Sequence, residues 1–167
     1  YDSTLIATYE MGSAFPQSVG SGIVGGEIVS VGEGQFVLDK TLDPDPTPDG
    51  TQPFLQRYLN SGSLYFTVLP EVGYSIDFQT LEFDMQIQSG DGWVELTSSQ
   101  TGTNILWSAQ SSDTLGFMES TNLIGTSFQT LEIDLSSFSA LQGITNETVF
   151  TFSYFAPPTV TDKTNWR

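Results

Sequence analysis

The sequence predicts an all-β fold, an antiparallel jelly-roll β-sandwich, on the basis of three observations. Apolar and polar residues alternate over Thr80–Gln88, and a period of two is typical of a half-buried strand. The 16 Gly and 8 Pro divide the chain into short segments rich in β-branched and aromatic residues. Their turn signals recur about every 8–12 residues, as in sandwiches and barrels. No amphipathic helix stands out, and we expect only one short helical turn, at Ser136–Leu141.

The length of 167 residues fits one domain, so we expect a single sandwich over residues 1–167. The segment 39–53 differs from the rest because it carries four of the eight prolines. Proline has no amide hydrogen for a strand ladder, so this Pro/Asp-rich segment is predicted to be an exposed, extended loop. Besides Thr80–Gln88, the predicted strands are Leu5–Met11, Ile23–Val31, Gln35–Asp39, Ser63–Leu69, Trp93–Ser98, Asn104–Ala109, Thr130–Leu135 and Thr148–Phe155.

A hairpin is predicted between the two clearest strands. Thr80–Gln88 and Trp93–Ser98 are separated by Ser89-Gly-Asp-Gly92, and glycine accommodates the positive φ that tight hairpin turns require. If the two strands pair, Gln86 and Gln88 share a sheet face with the outward residues of the second strand.

One short sequence occurs twice. Phe78-Gln-Thr-Leu-Glu-Phe-Asp84 recurs as Phe128-Gln-Thr-Leu-Glu-Ile-Asp134, and the residues around the two copies do not continue the match. Two fragments are too few for a solenoid repeat. We therefore expect two strands in equivalent environments, one in each sheet.

The composition excludes several classes of function. The formal net charge is −16, and the only cations are Lys40, Arg57, Lys163 and Arg167. Four scattered cations cannot form the basic patch that nucleic acid or an anionic membrane surface requires. Without His or Cys, the chain has no Cys/His zinc or haem site, disulfide, cysteine nucleophile or His-based triad. No apolar run approaches the roughly 18 residues of a transmembrane helix.

The strand patterns resemble those of a known group of exported domains. The likeness lies in Leu64–Val68, Leu81–Met85, Trp93–Ser99, Leu131–Leu135 and Phe150–Phe155, with Leu5–Glu10 matching a first strand. These segments resemble the β-sandwich domains of PEP-CTERM-type proteins of environmental bacteria, which in turn are similar to jelly-roll carbohydrate-binding modules. The resemblance implies a secreted, extracellular domain of a larger protein. The acidic composition and an N-terminus beginning Tyr-Asp-Ser-Thr, without a signal peptide, fit a trimmed exported chain.

Exposed aromatic residues indicate where a sugar could bind. The apolar face of a pyranose ring stacks on Trp or Tyr, while amide and carboxylate groups bind its hydroxyls. Because Val94 and Leu96 are predicted to face the core, Trp93 is predicted to face outward. For Trp107, which alternates with Ile105 and Ala109, a place in the core remains an alternative. The candidate ligand-binding residues are Trp93, Glu95, Gln86, Gln88, Trp107 and Tyr65.

Calcium is a candidate structural ion. Asp43, Asp45 and Asp49, followed by Gly50, echo the start of a calcium loop, although a solvated acidic loop is the alternative. The resemblance to jelly-roll modules implies a calcium ion that ties the first strand to the last, with Glu10 and Asp162 as contributors. A divalent cation would also relieve the self-repulsion of an acidic chain.

The predicted function is a non-catalytic carbohydrate-binding module that targets an extracellular polysaccharide, a neutral one because the chain is acidic. A structural or adhesive module of a matrix, fibre or surface layer is the alternative. A His-free glycosidase or lyase is the third class, with paired carboxylates at Glu82/Asp84 or Glu132/Asp134. The simpler interpretation of these pairs is a solvated strand face, so we expect no catalytic site.

Overall fold

The computed structural model describes residues 7–8, 18–26, 29–31, 36–39, 54–58, 61–89, 93–111, 123–124, 129–155 and 163–166. The strands are β1 (Ala7–Thr8), β2 (Ser18–Val19), β3 (Ile23–Gly25), β4 (Val29–Val31), β5 (Phe36–Asp39), β6 (Phe54–Tyr58), β7 (Ser61–Pro70), β8 (Thr80–Ser89), β9 (Trp93–Ser98), β10 (Trp107–Ser111), β11 (Leu123–Ile124), β12 (Gln129–Asp134), β13 (Thr148–Phe155) and β14 (Lys163–Trp166). The predicted helical turn is present as a 3-10 turn at Ser139–Leu141.

Two sheets make up the sandwich. The larger sheet has seven strands in the order β11-β10-β9-β13-β7-β3, with β4 also paired to β7. The smaller sheet has five strands in the order β12-β8-β14-β6-β5, and β1 and β2 form a separate pair. Among the described strands, only β10 and β11 pair in parallel. The predicted all-β, antiparallel sandwich is confirmed.

Alternation of apolar residues on the central strands fills the space between the two sheets. Buried Val94 and Leu96 of the larger sheet and buried Met85 of the smaller one belong to a single hydrophobic cluster. Phe150 belongs to the same cluster, and its ring centroid is 5.3 Å from that of Phe66 and 5.1 Å from that of Phe78. Such aromatic contacts add roughly 0.5–1.5 kcal/mol each to the free energy gained from burial.

The predicted hairpin at residues 89–92 is wrong. β8 pairs with β12 and β14 in the smaller sheet, whereas β9 pairs with β10 and β13 in the larger one. The chain therefore crosses from one sheet to the other at this point. The physical reason is that alternation marks one apolar side on each strand, and that side can face the core whether the two strands lie in one sheet or in facing sheets, so the pattern does not fix the pairing.

The repeated sequence is also arranged differently from the prediction. Its two copies lie in β8 and β12, which are neighbours in one sheet rather than members of two. The antiparallel register pairs Glu82 with Glu132, and each copy's threonine with the other copy's aspartate. Because one copy is inverted, the pair has a local two-fold axis between the two glutamates. Both apolar sides then face the core together, which is why the same sequence suits both strands.

The predicted strand Ile23–Val31 is divided into β3 and β4, which both pair with β7. Gly26 lies just after β3, and its N–H donates to Thr67 O at 2.8 Å. A Cβ at this position would clash with the side chain of Thr67, so the close approach of the chain to β7 favours glycine. Asp39 is the last residue of β5, and the rest of the predicted loop, residues 40–53, lies outside the described residues.

Candidate functional site

The side of the larger sheet that points away from the core, called the outer face below, carries aromatic, hydroxyl and carboxylate groups. Along β9, Val94 and Leu96 are fully buried, and Trp93, Glu95 and Thr97 alternate with them as half-buried residues. Successive strand residues point to opposite sides of a sheet. Trp93 and Glu95 therefore lie on the outer face.

The register of the neighbouring strand decides what surrounds Trp93. Phe155 of β13 is directly opposite Trp93, and their rings stack with centroids 5.1 Å apart and an interplanar angle of 17°. Ser153 is opposite Glu95, and Ser63 of β7 is opposite Ser153. The two serine Oγ atoms are 3.3 Å apart. A stacked aromatic pair thus adjoins a carboxylate and two hydroxyls on one face.

Tyr65 also lies on the outer face, but at a distance from Trp93. It is opposite Thr151, which in turn is opposite Thr97. That row is four residues along the strands from Trp93, or about 13 Å, and Tyr65 is two strands across, or about 10 Å. The face is therefore long enough for a ligand larger than one sugar ring.

Trp107 lies on the other side of the same sheet. It is opposite buried Leu96, and its ring packs edge-on against Phe83 of the smaller sheet, with centroids 5.6 Å apart at 84°. The structure thus places Trp107 in the core, which is the alternative that the sequence left open. Trp93 and Trp107 cannot form one stacking surface, because the sheet separates them.

Gln86 and Gln88 are not beside Trp93. Both belong to β8 in the smaller sheet, where Gln86 is opposite Asn165 of β14. Their expected place on the outer face depended on the hairpin between β8 and β9. Since that hairpin does not form, the expectation is wrong.

The residues named for calcium lie outside the described ones. These are Glu10, Asp43, Asp45, Asp49 and Asp162, so a calcium site there stays a prediction. Within the ranges given above, no group of three or more acidic side chains could hold a metal ion. Nor do those ranges contain a helix with the length and apolar character of a membrane span.

The side of the smaller sheet away from the core, called the acidic face below, carries the carboxylates considered for catalysis: Glu82, Asp84, Glu132 and Asp134. The glutamates of this set are directly opposite each other, and Thr130 Oγ1 donates to Asp84 Oδ1 at 2.6 Å. Ser136 donates to Asp134 Oδ1 from Oγ at 2.6 Å and from its N–H at 2.8 Å, and these bonds lower the pKa of Asp134. A glycosidase's general acid needs a raised pKa, which is the opposite direction.

Phe155, Ser153 and Ser63 are residues of the outer face that the sequence did not single out. Part of the signal was present, because alternation along Thr148–Phe155 buries Phe150, Phe152 and Tyr154 and leaves Ser153 and Phe155 on the other side. The missing part was the pairing of β13 with β9. That pairing joins residues distant in sequence, and no local sequence pattern predicts it.

Comparison with known proteins finds similarity in structure but not in sequence. No family model matches the chain, and no curated protein matches it. Among solved structures, the chain is similar to TmCBM61 in complex with β-1,4-galactotriose, at 12% identity and a TM-score of 0.47, covering 96% of this chain and 90% of that one. At this degree of similarity the comparison decides nothing about the site. The interpretation of the outer face therefore depends on the residues themselves.

Proposed function

We propose that the chain is a non-catalytic carbohydrate-binding module that holds a neutral extracellular polysaccharide on its outer face. The observation that carries the proposal is the stacked pair of Trp93 and Phe155 beside Glu95, Ser153 and Ser63. This combination of aromatic rings with adjoining hydrogen-bonding groups fits a sugar, which has an apolar ring face and a rim of hydroxyls.

The aromatic pair is suited to binding because it is restrained before the ligand arrives. Trp93 and Phe155 are held on adjacent paired strands, and their contact limits the rotamers that either side chain can adopt. A restrained side chain loses little conformational entropy on binding, so more of the contact energy contributes to affinity. A site on strands is also positioned more accurately than one on loops.

The polar groups on the face support a neutral ligand. The carboxylate of Glu95 accepts hydrogen bonds from sugar hydroxyls, and the hydroxyls of Ser153 and Ser63 both donate and accept. With a net charge of −16, the chain repels polyanions such as uronic or sulfated polysaccharides. Secretion, attachment to a larger protein and a structural calcium ion are further parts of this proposal.

The test is retention of the purified chain on a panel of polysaccharides. Neutral cellulose, xylan, mannan and galactan are compared with anionic pectin and alginate, each with calcium and with chelator. We expect at least one neutral member to retain the wild-type protein, and Trp93→Ala to weaken that retention by about tenfold or more. Glu132→Gln, on the acidic face, is the matched control and should bind as the wild type does.

Two results would contradict the proposal. One is a wild-type protein that none of the neutral polysaccharides retains. The other is a Trp93→Ala variant that keeps the wild-type thermal unfolding midpoint and also keeps full retention. Either result would move the function away from sugar binding on the outer face.

A further inference from the structure

An exposed aromatic ring lies at the far end of the larger sheet, away from Trp93 and Phe155. The side chain of Tyr74 is 52% exposed, and it follows β7 in the connection to β8. Its N–H donates to Glu71 O at 3.0 Å, and Gly73 between them has φ +91°. Gly73 is the third residue of this turn, and glycine adopts a positive φ there without strain. Tyr74 is therefore the last residue of a defined turn.

A second turn fixes the orientation of the ring. Gly22 has φ +77° in the turn that Ile23 N–H closes on Gly20 O at 3.2 Å. A Cβ added to Gly22 would lie 2.5 Å from Cδ1 of the Tyr74 ring, so the ring lies directly on this glycine. Glu71 N–H donates to Gly22 O at 2.8 Å and joins the two turns. Backbone geometry thus holds an aromatic ring in place while half of its surface remains in solvent.

A shallow, open depression of about 460 Å³, called the cleft below, lies beside this ring. It is lined by Glu71, Val72, Gly73, Tyr74, Ser75 and Thr145. Ile76 and Ile144 form an antiparallel bridge with hydrogen bonds of 2.8 and 2.9 Å, and both are buried. Ser75 and Thr145 are the next residues outward from this bridge, where alternation turns them away from the core. The cleft therefore contains two hydroxyls and one carboxylate around an aromatic ring.

We propose that this cleft is a second carbohydrate-binding site, which takes the same class of ligand as the outer face, a neutral pyranoside chain. This inference rests on the proposed function for its ligand class, but its site is separate. Tyr74 stacks on the ring of one sugar, and Glu71, Ser75 and Thr145 bind its hydroxyls. The carboxylate of Glu71 disfavours an anionic sugar, and an entirely apolar partner would leave these polar groups without hydrogen bonds.

The two sites lie at opposite ends of the larger sheet. Trp93 is opposite Phe155, and Phe155 is opposite Ser61, the first residue of β7. The turn that contains Tyr74 follows Pro70, the last residue of the same strand. Nine residues of strand separate these ends, or about 30 Å. A trisaccharide then occupies one site at a time, whereas a polysaccharide can contact both sites. Binding at both sites at once raises the apparent affinity by avidity, although the affinity of each single site is unchanged.

The test maps trisaccharide binding on the full, ¹⁵N-labelled chain by NMR. The probes are four neutral trisaccharides, cellotriose, xylotriose, mannotriose and β-1,4-galactotriose. With at least one of them, we expect amide shifts in two separate groups, one around Trp93 and Phe155 and one at residues 22, 71–75 and 145. The map is made on the wild-type protein, so it does not depend on the folding of any variant.

Variants then separate the two sites. Tyr74→Ala should weaken binding at the cleft by about tenfold or more and leave the shifts around Trp93 unchanged, while Tyr74→Phe, which keeps the ring, should bind within about threefold of wild type. Ile105→Ala removes another exposed apolar side chain, 46% exposed and outside the cleft, and should change neither group of shifts. Retention on the matching polysaccharide should fall about tenfold or more with either Tyr74→Ala or Trp93→Ala, because each variant removes avidity.

The outcomes distinguish this inference from the proposed function. Shifts only around Trp93, or a Tyr74→Ala variant with unchanged binding at the cleft, would overturn the second site and leave the first. Shifts only at the cleft would support the second site and overturn binding on the outer face. The absence of shifts with all four trisaccharides would overturn both.

Discussion

The outer face and the acidic face are built on the same alternation of buried and outward residues, but they present different chemistry. On the outer face, the cross-strand partners are two aromatic rings, and a carboxylate is opposite a serine. On the acidic face, two glutamates are opposite each other, and each aspartate is bound by a hydroxyl, Asp84 by Thr130 and Asp134 by Ser136. The outer face therefore carries aromatic rings, on which a sugar could stack. The acidic face carries carboxylates instead, and its two aspartates already accept hydrogen bonds within the protein.

The difference shows that the pairing of strands, rather than the composition of any one strand, creates the candidate site. β9 contributes one tryptophan and β13 one phenylalanine, and only their register makes a stacked surface. β8 and β12 contribute the same sequence, and their register brings like charges together. Like charges directly opposite each other destabilise a sheet, so the pairing of the two glutamates lowers the stability of the acidic face.

The largest expected effect is a loss of stability when a core ring beneath the outer face is removed. Phe150→Ala should lower the free energy of unfolding by about 3–5 kcal/mol, because the ring is 2% exposed and contacts both Phe66 and Phe78. Chemical denaturation measures the change. Phe155→Ala, a half-buried ring on the same strand, is the control and should cost clearly less. Equal losses for the two variants would mean that Phe155 is also a core residue.

Phe155→Ala should instead have its main effect on binding. Without the stacked partner, Trp93 gains rotamer freedom, and the affinity for a retained polysaccharide should fall by about tenfold. Affinity electrophoresis with the polysaccharide in the gel measures this, and Phe155→Trp, which keeps an aromatic ring, should retain most of the affinity. An unchanged affinity for Phe155→Ala would show that the stacked pair has no part in the site.

A smaller effect is expected on the acidic face, with the opposite sign. Glu132→Gln removes one of two opposed charges and should raise the free energy of unfolding by about 0.2–1 kcal/mol at low salt. The gain should shrink at about 1 M salt, where the screening length falls to about 3 Å. Denaturation at both salt concentrations tests this, and Glu147→Gln is a control for the reduction in net charge alone. A gain of the same size for both variants would assign the effect to net charge and not to the pair.

The smallest effect concerns Asp134. Its pKa is lowered from the ordinary 3.8, first by the side-chain hydrogen bond from Ser136 and then by the backbone one. A carboxyl with a lowered folded-state pKa adds stability above its unfolded pKa, and that stability is lost as the pH falls through the folded value. Ser136→Ala should move the pKa of Asp134 upward, as an NMR titration from pH 6 to about pH 2 would show. A pKa that does not move would remove Ser136 as the cause.

Much of the fold followed from local patterns, and the exceptions share one cause. Alternation located β8, β9, β12 and β13, because each has one buried side, and it also turned Trp93 away from the core. It could not say which strands pair. For that reason the hairpin after β8 and the separation of the two repeated copies were predicted wrongly. The placement of Gln86 and Gln88 failed with the hairpin.

The candidate sites show the same limit. Trp93 was found from its own strand, but its partner Phe155 comes from a strand about 60 residues later, where only the sheet register reveals the contact. Tyr74 gave no signal in the sequence, because the position of its ring depends on a contact with Gly22 in another turn. Local sequence therefore predicts which way a side chain points, while the partners that turn it into a site come from long-range pairing.

Tryptophan fluorescence during titration with a retained oligosaccharide tests the central claim most directly. The chain has three tryptophans, and Trp93 and Trp107 lie on opposite sides of one sheet. Our account predicts a saturable change in emission in the wild type, the same change in Trp107→Phe, and its loss in Trp93→Phe. A change that persists in Trp93→Phe and disappears in Trp107→Phe would contradict sugar binding on the outer face.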